Sequence, residues 1–249
     1  MIDTLLSADA RGQKAGLNVR AHRPWPIPGG PWVMGQSWVS LLFAHWRVDP
    51  EIVRAAVPAQ LPLDVFDGDA WIGVTPFEVR GLRARGVPPL PRLSRFPELN
   101  VRTYVTLGGK PGIWFFSLDA GNAAAVAAAR ATYRLPYFRA RMRIARPGEW
   151  IEYGSERGAA TFAGRYRPVG PAAPPQPGTL DHWLTERYCL YALHDGRVLR
   201  AEIHHPPWPL QAAEAEIERN TMTGLPLTGE PLLHFAERQD VVVWAPGQV

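Results

Sequence analysis

Pro97-Glu98-Leu99-Asn100-Val101-Arg102-Thr103-Tyr104-Val105 alternates apolar and polar side chains residue by residue. Successive side chains of a strand point to opposite faces. Leu99, Val101, Thr103 and Val105 therefore share a face suited to a core, and Glu98, Asn100, Arg102 and Tyr104 share the other. An acid, an amide, a guanidinium and a phenol in a row fit two settings: a solvated outer sheet face, or the lining of a barrel or cone interior that fixes a small ligand. Gly108-Gly109-Lys110-Pro111-Gly112 follows as a hairpin signal. The expected return strand, residues 112–120, carries Ile113-Trp114-Phe115-Phe116-Ser117-Leu118-Asp119 and is apolar on both faces. Such a hairpin sits deep in the molecule, which favours the polar lining.

Outward from this hairpin, the N-terminal side begins with a lead-in over residues 1–22 that reads as loose or weakly helical and has no signal-peptide hydrophobic region. Pro24-Trp25-Pro26-Ile27-Pro28-Gly29-Gly30-Pro31-Trp32 suits neither helix nor sheet interior and reads as an extended arm packing two Trp rings onto the body. Residues 36–48 form a long strand that is apolar on both faces, and Asp49-Pro50-Glu51 starts a short helix. Strands over 62–66 and 70–79 flank the turn Asp67-Gly68-Asp69. A Pro/Arg-rich loop spans 81–97.

Beyond the hairpin, the Ala-rich run 122–130 is strongly helix-forming and ends before Pro136. Strands follow over 137–146, 150–155 and 159–167, then a Pro-rich connector over 168–177 and a short helix capped by Thr179 or Asp181. Two strands surround Asp195-Gly196, residues 211–219 read as a helix whose acids Glu214, Glu216 and Glu218 face solvent, and 241–244 close the chain as a strand. The pattern is α+β, dominated by antiparallel sheet.

Composition narrows the function classes. Of the 249 residues, 46% are hydrophobic and ten are Trp, ample for a core. The net charge of +4 is spread among acids and arises almost wholly from Arg, with lysine only at 14 and 110. No basic block reads as a nucleic-acid arm, and no apolar run reaches the length of a membrane span. The single cysteine, Cys189, rules out an internal disulfide framework and suits a reducing compartment, so a cytoplasmic protein is expected.

Chemical motifs are sparse. His204-His205 with Glu202 and His194 invites a zinc reading, yet adjacent strand residues face opposite ways and no zinc spacing is present, so no metal is expected. No nucleophile elbow, phosphate loop or dinucleotide fingerprint occurs. Cys189 sits among aromatics as a small buried hydrophobe. Glu98 and Glu186, with Arg102 and Arg187, are also compatible with plain structural ion pairs.

Six blocks carry a resemblance. They are Trp38-Val39-Ser40-Leu41-Leu42-Phe43-Ala44-His45-Trp46, the run 96–105, the run 112–120, Leu135-Pro136-Tyr137, Leu184-Thr185-Glu186-Arg187-Tyr188-Cys189-Leu190-Tyr191 and Ile203-His204-His205-Pro206-Pro207-Trp208-Pro209-Leu210. In this order they resemble the bacterial YqjF-like family, which carries the domain of unknown function DUF2071. That family in turn is similar to the acetoacetate decarboxylase-like superfamily.

The resemblance implies a mostly antiparallel, cone-like or barrel-like domain over 23–249 with a few short helices and a buried cavity. The decarboxylases of that superfamily work through a lysine pair after a proline. The matching segment here is Arg130-Ala131-Thr132-Tyr133-Arg134-Leu135-Pro136-Tyr137-Phe138, with Tyr137 and Phe138 at the lysine positions. A Schiff-base decarboxylase is therefore not expected.

Glu98 falls where a cavity acid of the superfamily is expected. The expectation is a pocket for a small carbonyl or carboxylate ligand that needs no cofactor. Glu98, Arg102 and Tyr137 are its candidate catalytic groups, for lysine-independent, lyase-like chemistry. Asn100, Tyr104, Phe116, Glu186 and His204 are its candidate ligand-binding groups. The alternatives are a non-catalytic binding or sensing protein and a structural oligomeric module. A homo-oligomer is expected from the family likeness and from the aromatic arm.

Overall fold

The apolar face of the 97–105 stretch is fully enclosed: Leu99, Val101 and Val105 belong to one core, and the Thr103 hydroxyl donates to the Trp71 carbonyl at 2.8 Å. The computed structural model describes residues 7–91 and 93–249. Residues 1–6 of the expected lead-in and Arg92 of the Pro/Arg loop lie outside the described residues.

In chain order the first elements are α1 (Ala8–Gly16), β1 (Met34–Val48), α2 (Pro50–Ala56), β2 (Ala70–Ala84), β3 (Phe96–Leu107) and β4 (Lys110–Ala120). Then come α3 (Ala123–Tyr133), β5 (Tyr137–Arg139), β6 (Arg141–Ala145), β7 (Ile151–Arg157), β8 (Ala160–Ala173) and α4 (Leu180–Thr185). The last are β9 (Cys189–His194), β10 (Arg197–His204), β11 (Leu210–Asn220), β12 (Leu232–Val243) and β13 (Gly247–Gln248).

Strand pairing runs β10-β9-β4-β3-β2-β1-β12, and a β10–β12 pairing of Ile203 with Val243 and His204 with Val242 turns this path into a ring. That seam is short, and β4 meets β9 in parallel. The fold is α+β and mostly antiparallel, ring-like rather than a regular barrel. From β12 the sheet continues through β11, β8, β7 and β6 as a wing folded over the outside of the ring. Tyr153 of β7 donates to the carbonyls of Phe77 (3.1 Å) and Glu98 (2.7 Å), and Tyr166 of β8 to that of Ser40 (2.8 Å). Leu42, Ala44, Val74, Leu99 and Val101 fill the space between ring and wing with Tyr153, Phe162 and Tyr166.

Irregularities in three neighbouring strands shape the interior. An inserted residue reverses the two faces of a strand beyond it. In β1, Ser40 has φ 51° within a register shift, so Trp38 and Leu41 both point inward while Leu42 joins the outer core. In β2, Gly81 (φ 60°) does the same between Phe77 and Leu82. Glycine is required there twice over, because a Cβ would also lie 2.4 Å from the Cβ of Asp9 in α1. In β4 a shift opposite Val101 and Arg102 leaves Phe116 extra, so Ile113, Phe115 and Leu118 line the interior together.

The local signals for helices hold: Asp49, Asn122 and Thr179 cap α2, α3 and α4 with their side chains. Other expectations are corrected. Residues 211–219 are not a helix but part of β11. Its helix-favouring Ala and Glu are overridden by a period of two: Ala213, Ala215 and Ile217 pack on the outer core. On the other face Glu214 and Glu216 pair directly across the ladder with Arg167 and Arg165.

The expected connector over 168–177 is largely strand, since β8 runs on to Ala173. The strand expected over 62–66 reduces to single bridges, Leu63 to Val105 and Phe66 to Asp69. The closing strand is longer than 241–244, because Arg238, bound to Asp9 and Asp240, allows charged residues within β12. Residues 8–16 of the lead-in form α1, whose buried Gln13 donates to Ser37 Oγ (3.2 Å) and to the Gly81 carbonyl (3.1 Å). The arm lies on its own body: Trp25 Nε1 donates to Glu202 at 2.8 Å, and Arg83 sits over Trp32 at 4.9 Å.

Candidate functional site

The ring encloses a cavity of about 140 Å³, the order of size that accepts one benzene-sized molecule. The polar face of β3 supplies Glu98, Asn100 and Arg102 to its wall. Tyr133 at the end of α3 and Tyr137 in β5 enter from one side. Thr185 enters from the end of α4, and Arg187, His205 and Trp208 from the segments after α4 and β10. The rest of the lining is mainly apolar, including Trp38, Phe77, Phe96, Phe115 and the alanines of α3.

Glu98 is 4% exposed, and its only side-chain hydrogen bond among the described residues is from the Tyr137 hydroxyl at 3.2 Å. Burial pushes its carboxyl up to about 8, against a smaller opposing effect of that hydrogen bond. Burial, and then Glu98 itself, holds Tyr137 well above its ordinary value. Both groups are neutral near neutral pH, and Glu98 is an acid with a proton to give.

Arg102 has the opposite character. It is 6% exposed and touches only neutral groups, the Tyr104 hydroxyl and the Leu184 carbonyl, each at 3.4 Å. Its Nε has no partner, and it forms no ion pair among the described residues. Arg187 is paired with Asp64 at 2.6 Å and donates Nε to the Trp183 carbonyl at 2.6 Å, leaving Nη2 unpartnered. The cavity therefore holds one uncompensated buried positive charge, a costly arrangement until an anion meets it. Among the described residues, Trp38 Nε1, Trp208 Nε1 and the Tyr133 hydroxyl are further buried donors without partners, and Asn100 Oδ1 is an acceptor in the same state.

Of the residues expected from sequence, Glu98, Asn100, Arg102 and Tyr137 come together on this cavity. The others lie elsewhere. Tyr104 is 2.8 Å from His45 Nε2 beneath Arg102. Burial first, and then Arg102, holds His45 well below its ordinary value. Phe116, the extra residue of β4, packs against the outer core. Glu186 accepts from the Trp208 backbone N–H at 2.8 Å and from the Tyr188 hydroxyl, which occupies both its oxygens.

His204 faces α1, with Nε2 3.0 Å from the Gly16 carbonyl, and burial pushes it down to about 4. Nearby Glu202 is taken up by Arg23, Trp25 and Lys110. Among the described residues no cluster of His, Cys, Asp and Glu is gathered to hold a metal. Cys189 is buried and burial pushes its thiol up to about 11.

Neither lysine lines the cavity; Lys110 is bound to Glu202 at 2.7 Å at the hairpin tip. Tyr137 points into the cavity, whereas Phe138 is covered by Arg157 at 4.2 Å. Arg187, Tyr133, Trp38 and Trp208 are the lining residues that strand alternation does not reveal. Arg187 reads from sequence only as an ion-pair partner, and Tyr133 reaches the cavity through the i, i+3, i+4 face of α3.

The ring-like, mostly antiparallel sheet is similar in fold to acetoacetate decarboxylase-like proteins. The acetoacetate decarboxylase of Legionella pneumophila superposes with a TM-score of 0.62 at 11% identity, over 92% of this chain and 93% of its own. The enduracididine biosynthesis enzyme MppR, complexed with the condensation product of pyruvate and imidazole 4-carboxaldehyde, gives a TM-score of 0.63 at 12% identity, over 88% and 90% of the two chains. At these identities the likeness is one of fold.

The DUF2071 profile, described as an uncharacterized conserved protein, matches residues 35–247. The uncharacterized protein YqjF of Bacillus subtilis is 49% identical over 225 residues, covering 88% of this chain and 93% of that protein. The chain belongs to the DUF2071 family.

Proposed function

We propose that the cavity binds a small organic carboxylate, with Arg102 as its main counter-ion and Glu98 as a protonated acid facing the same space. One observation carries this reading: Arg102 is a buried guanidinium without a carboxylate partner among the described residues, in a cavity whose one lining carboxyl is held neutral. A carboxylate ligand supplies the missing charge and accepts the orphaned N–H groups of Arg102 and Arg187. MppR, whose fold this chain shares, was solved with a pyruvate-derived ligand, which is consistent with carbonyl–carboxylate chemistry.

As an enzyme, the site acts without lysine. Arg102 holds a carboxylate or enolate oxygen, Glu98 delivers its proton to the reacting group, and Tyr137 supports Glu98 by a hydrogen bond. The lysine-free lining favours a second reading, a binding or sensing protein on the same scaffold. Trp38 and Trp208 line the cavity, so their fluorescence reports occupancy. Saturable quenching by monocarboxylates and 2-oxo acids is expected, weakened at least tenfold in Arg102→Met. No saturation with any of these acids refutes the proposal. Ligand turnover followed by NMR and abolished in Glu98→Gln identifies an enzyme; binding without turnover identifies a binding protein.

A self-associating cytoplasmic protein accompanies this reading. None of the described helices is long and apolar enough to cross a membrane. A concentration-independent monomer mass in sedimentation refutes the self-association.

A further inference from the structure

The two ends of the cavity differ in kind. At one end the guanidinium groups of Arg102 and Arg187 both lie against the Tyr104 ring, at 5.8 and 4.8 Å from its centroid. Arg102 Nε, Arg187 Nη2 and Trp208 Nε1 are donors without partners among the described residues, on side chains that are at least nine-tenths buried. Glu98 stands four residues from Arg102 on the same strand face, a backbone separation of about 13 Å at a rise of roughly 3.4 Å per residue. The carbonyl of its partner Tyr137 accepts from Arg130 of α3 at 2.6 Å, which fixes α3 over the Glu98 end.

The first two turns of α3 border the cavity with alanine, while Thr132 and Tyr133 at its end bring hydroxyls. Ala125, Ala128 and Ala129 present methyl groups at the three- and four-residue spacing of one helix face. Leu82, Phe96 and Leu118 also line the cavity. A molecule as short as a two- or three-carbon acid, held at the arginines, leaves this end of the cavity unfilled.

We infer that the ligand is an amphipathic monocarboxylate, its head on Arg102 and Arg187 and its apolar chain running to the alanine face of α3, which sets the chain length accepted. The inference rests on the carboxylate pocket proposed above and adds the class of tail. A side chain larger than alanine on this face takes up the space of the tail without touching the head site.

The test is a calorimetric or tryptophan-fluorescence titration with straight-chain monocarboxylates from acetate to octanoate, on the wild type and Ala129→Leu, with Ala125→Leu as a second variant. In the wild type each added methylene tightens binding about fourfold until the cavity is full, near a chain of roughly five or six carbons for a cavity of benzene-like size. Ala129→Leu and Ala125→Leu shift the preferred acid to a shorter chain, and both still bind acetate.

Binding that depends on Arg102 but not on chain length overturns this inference and leaves the pocket standing. Chain-length dependence that both alanine variants fail to shift overturns the role of α3. If no carboxylate of any length binds, the pocket proposal itself fails, and this one with it.

Discussion

Replacing Glu98 by Gln should stabilise the protein, and increasingly so as pH rises. The carboxyl is 4% exposed and its pKa is pushed from 4.5 up to about 8 by burial. The unfolded chain releases this proton near 4.5, whereas the folded chain keeps it to about 8. Between those values the folded state binds the extra proton, so its stability falls with rising pH. Each pH unit in the window costs about 1.4 kcal/mol. Glutamine keeps an oxygen to accept from Tyr137 but has no proton to lose.

The difference between variant and wild type should therefore be near zero at about pH 4.5, about 3 kcal/mol in favour of the variant at about pH 7, and level off above about pH 8. Urea denaturation at a series of pH values measures this directly, provided the two proteins share the same m-value. A gap that is constant with pH, or one in which the wild type gains with rising pH, refutes the argument. A wild type that gains with rising pH means that Glu98 is folded as a stabilised anion, and a constant gap means that it titrates alike in the folded and unfolded chain; either removes it as the protonated acid of the site.

Two further substitutions probe the scaffold. Tyr153→Phe removes the hydroxyl that ties the wing to the Phe77 and Glu98 carbonyls, and a loss of about 1–3 kcal/mol is expected in urea melts; no loss refutes its role as a tie. Gly112→Ala brings a Cβ to 2.7 Å from Cys189 Sγ and 2.8 Å from the Cys189 carbonyl, at the place where β4 meets β9. It should cost about 1–3 kcal/mol, and a thermal melt at the wild-type midpoint refutes the tight parallel contact.

Sequence by itself determined what depends on near neighbours along the chain. The period-two alternation of residues 97–105 separates Leu99, Val101 and Val105 from Glu98, Asn100 and Arg102 whatever the strand packs against, and the structure keeps that division. The cap Asp49, the choice of Thr179 or Asp181 for α4, and the paired glycines 108 and 109 at the hairpin act within a few residues and are equally legible. The same logic failed at β11, where local helix preference lost to Arg165 and Arg167 on a strand some fifty residues away.

Tertiary structure alone decided the cavity. Its closure depends on β10 finding β12. Its inner wall depends on register shifts at Ser40, Gly81 and Phe116, which decide which side chains turn inward. Tyr104 continues the polar row of β3, yet its hydroxyl meets His45 beneath the cavity, while Arg187 and Trp208 arrive from distant segments. Pairing register and burial are sums over contacts remote in sequence, so the charge left unpaired on Arg102 and the proton held on Glu98 exist only once the ring has closed around them.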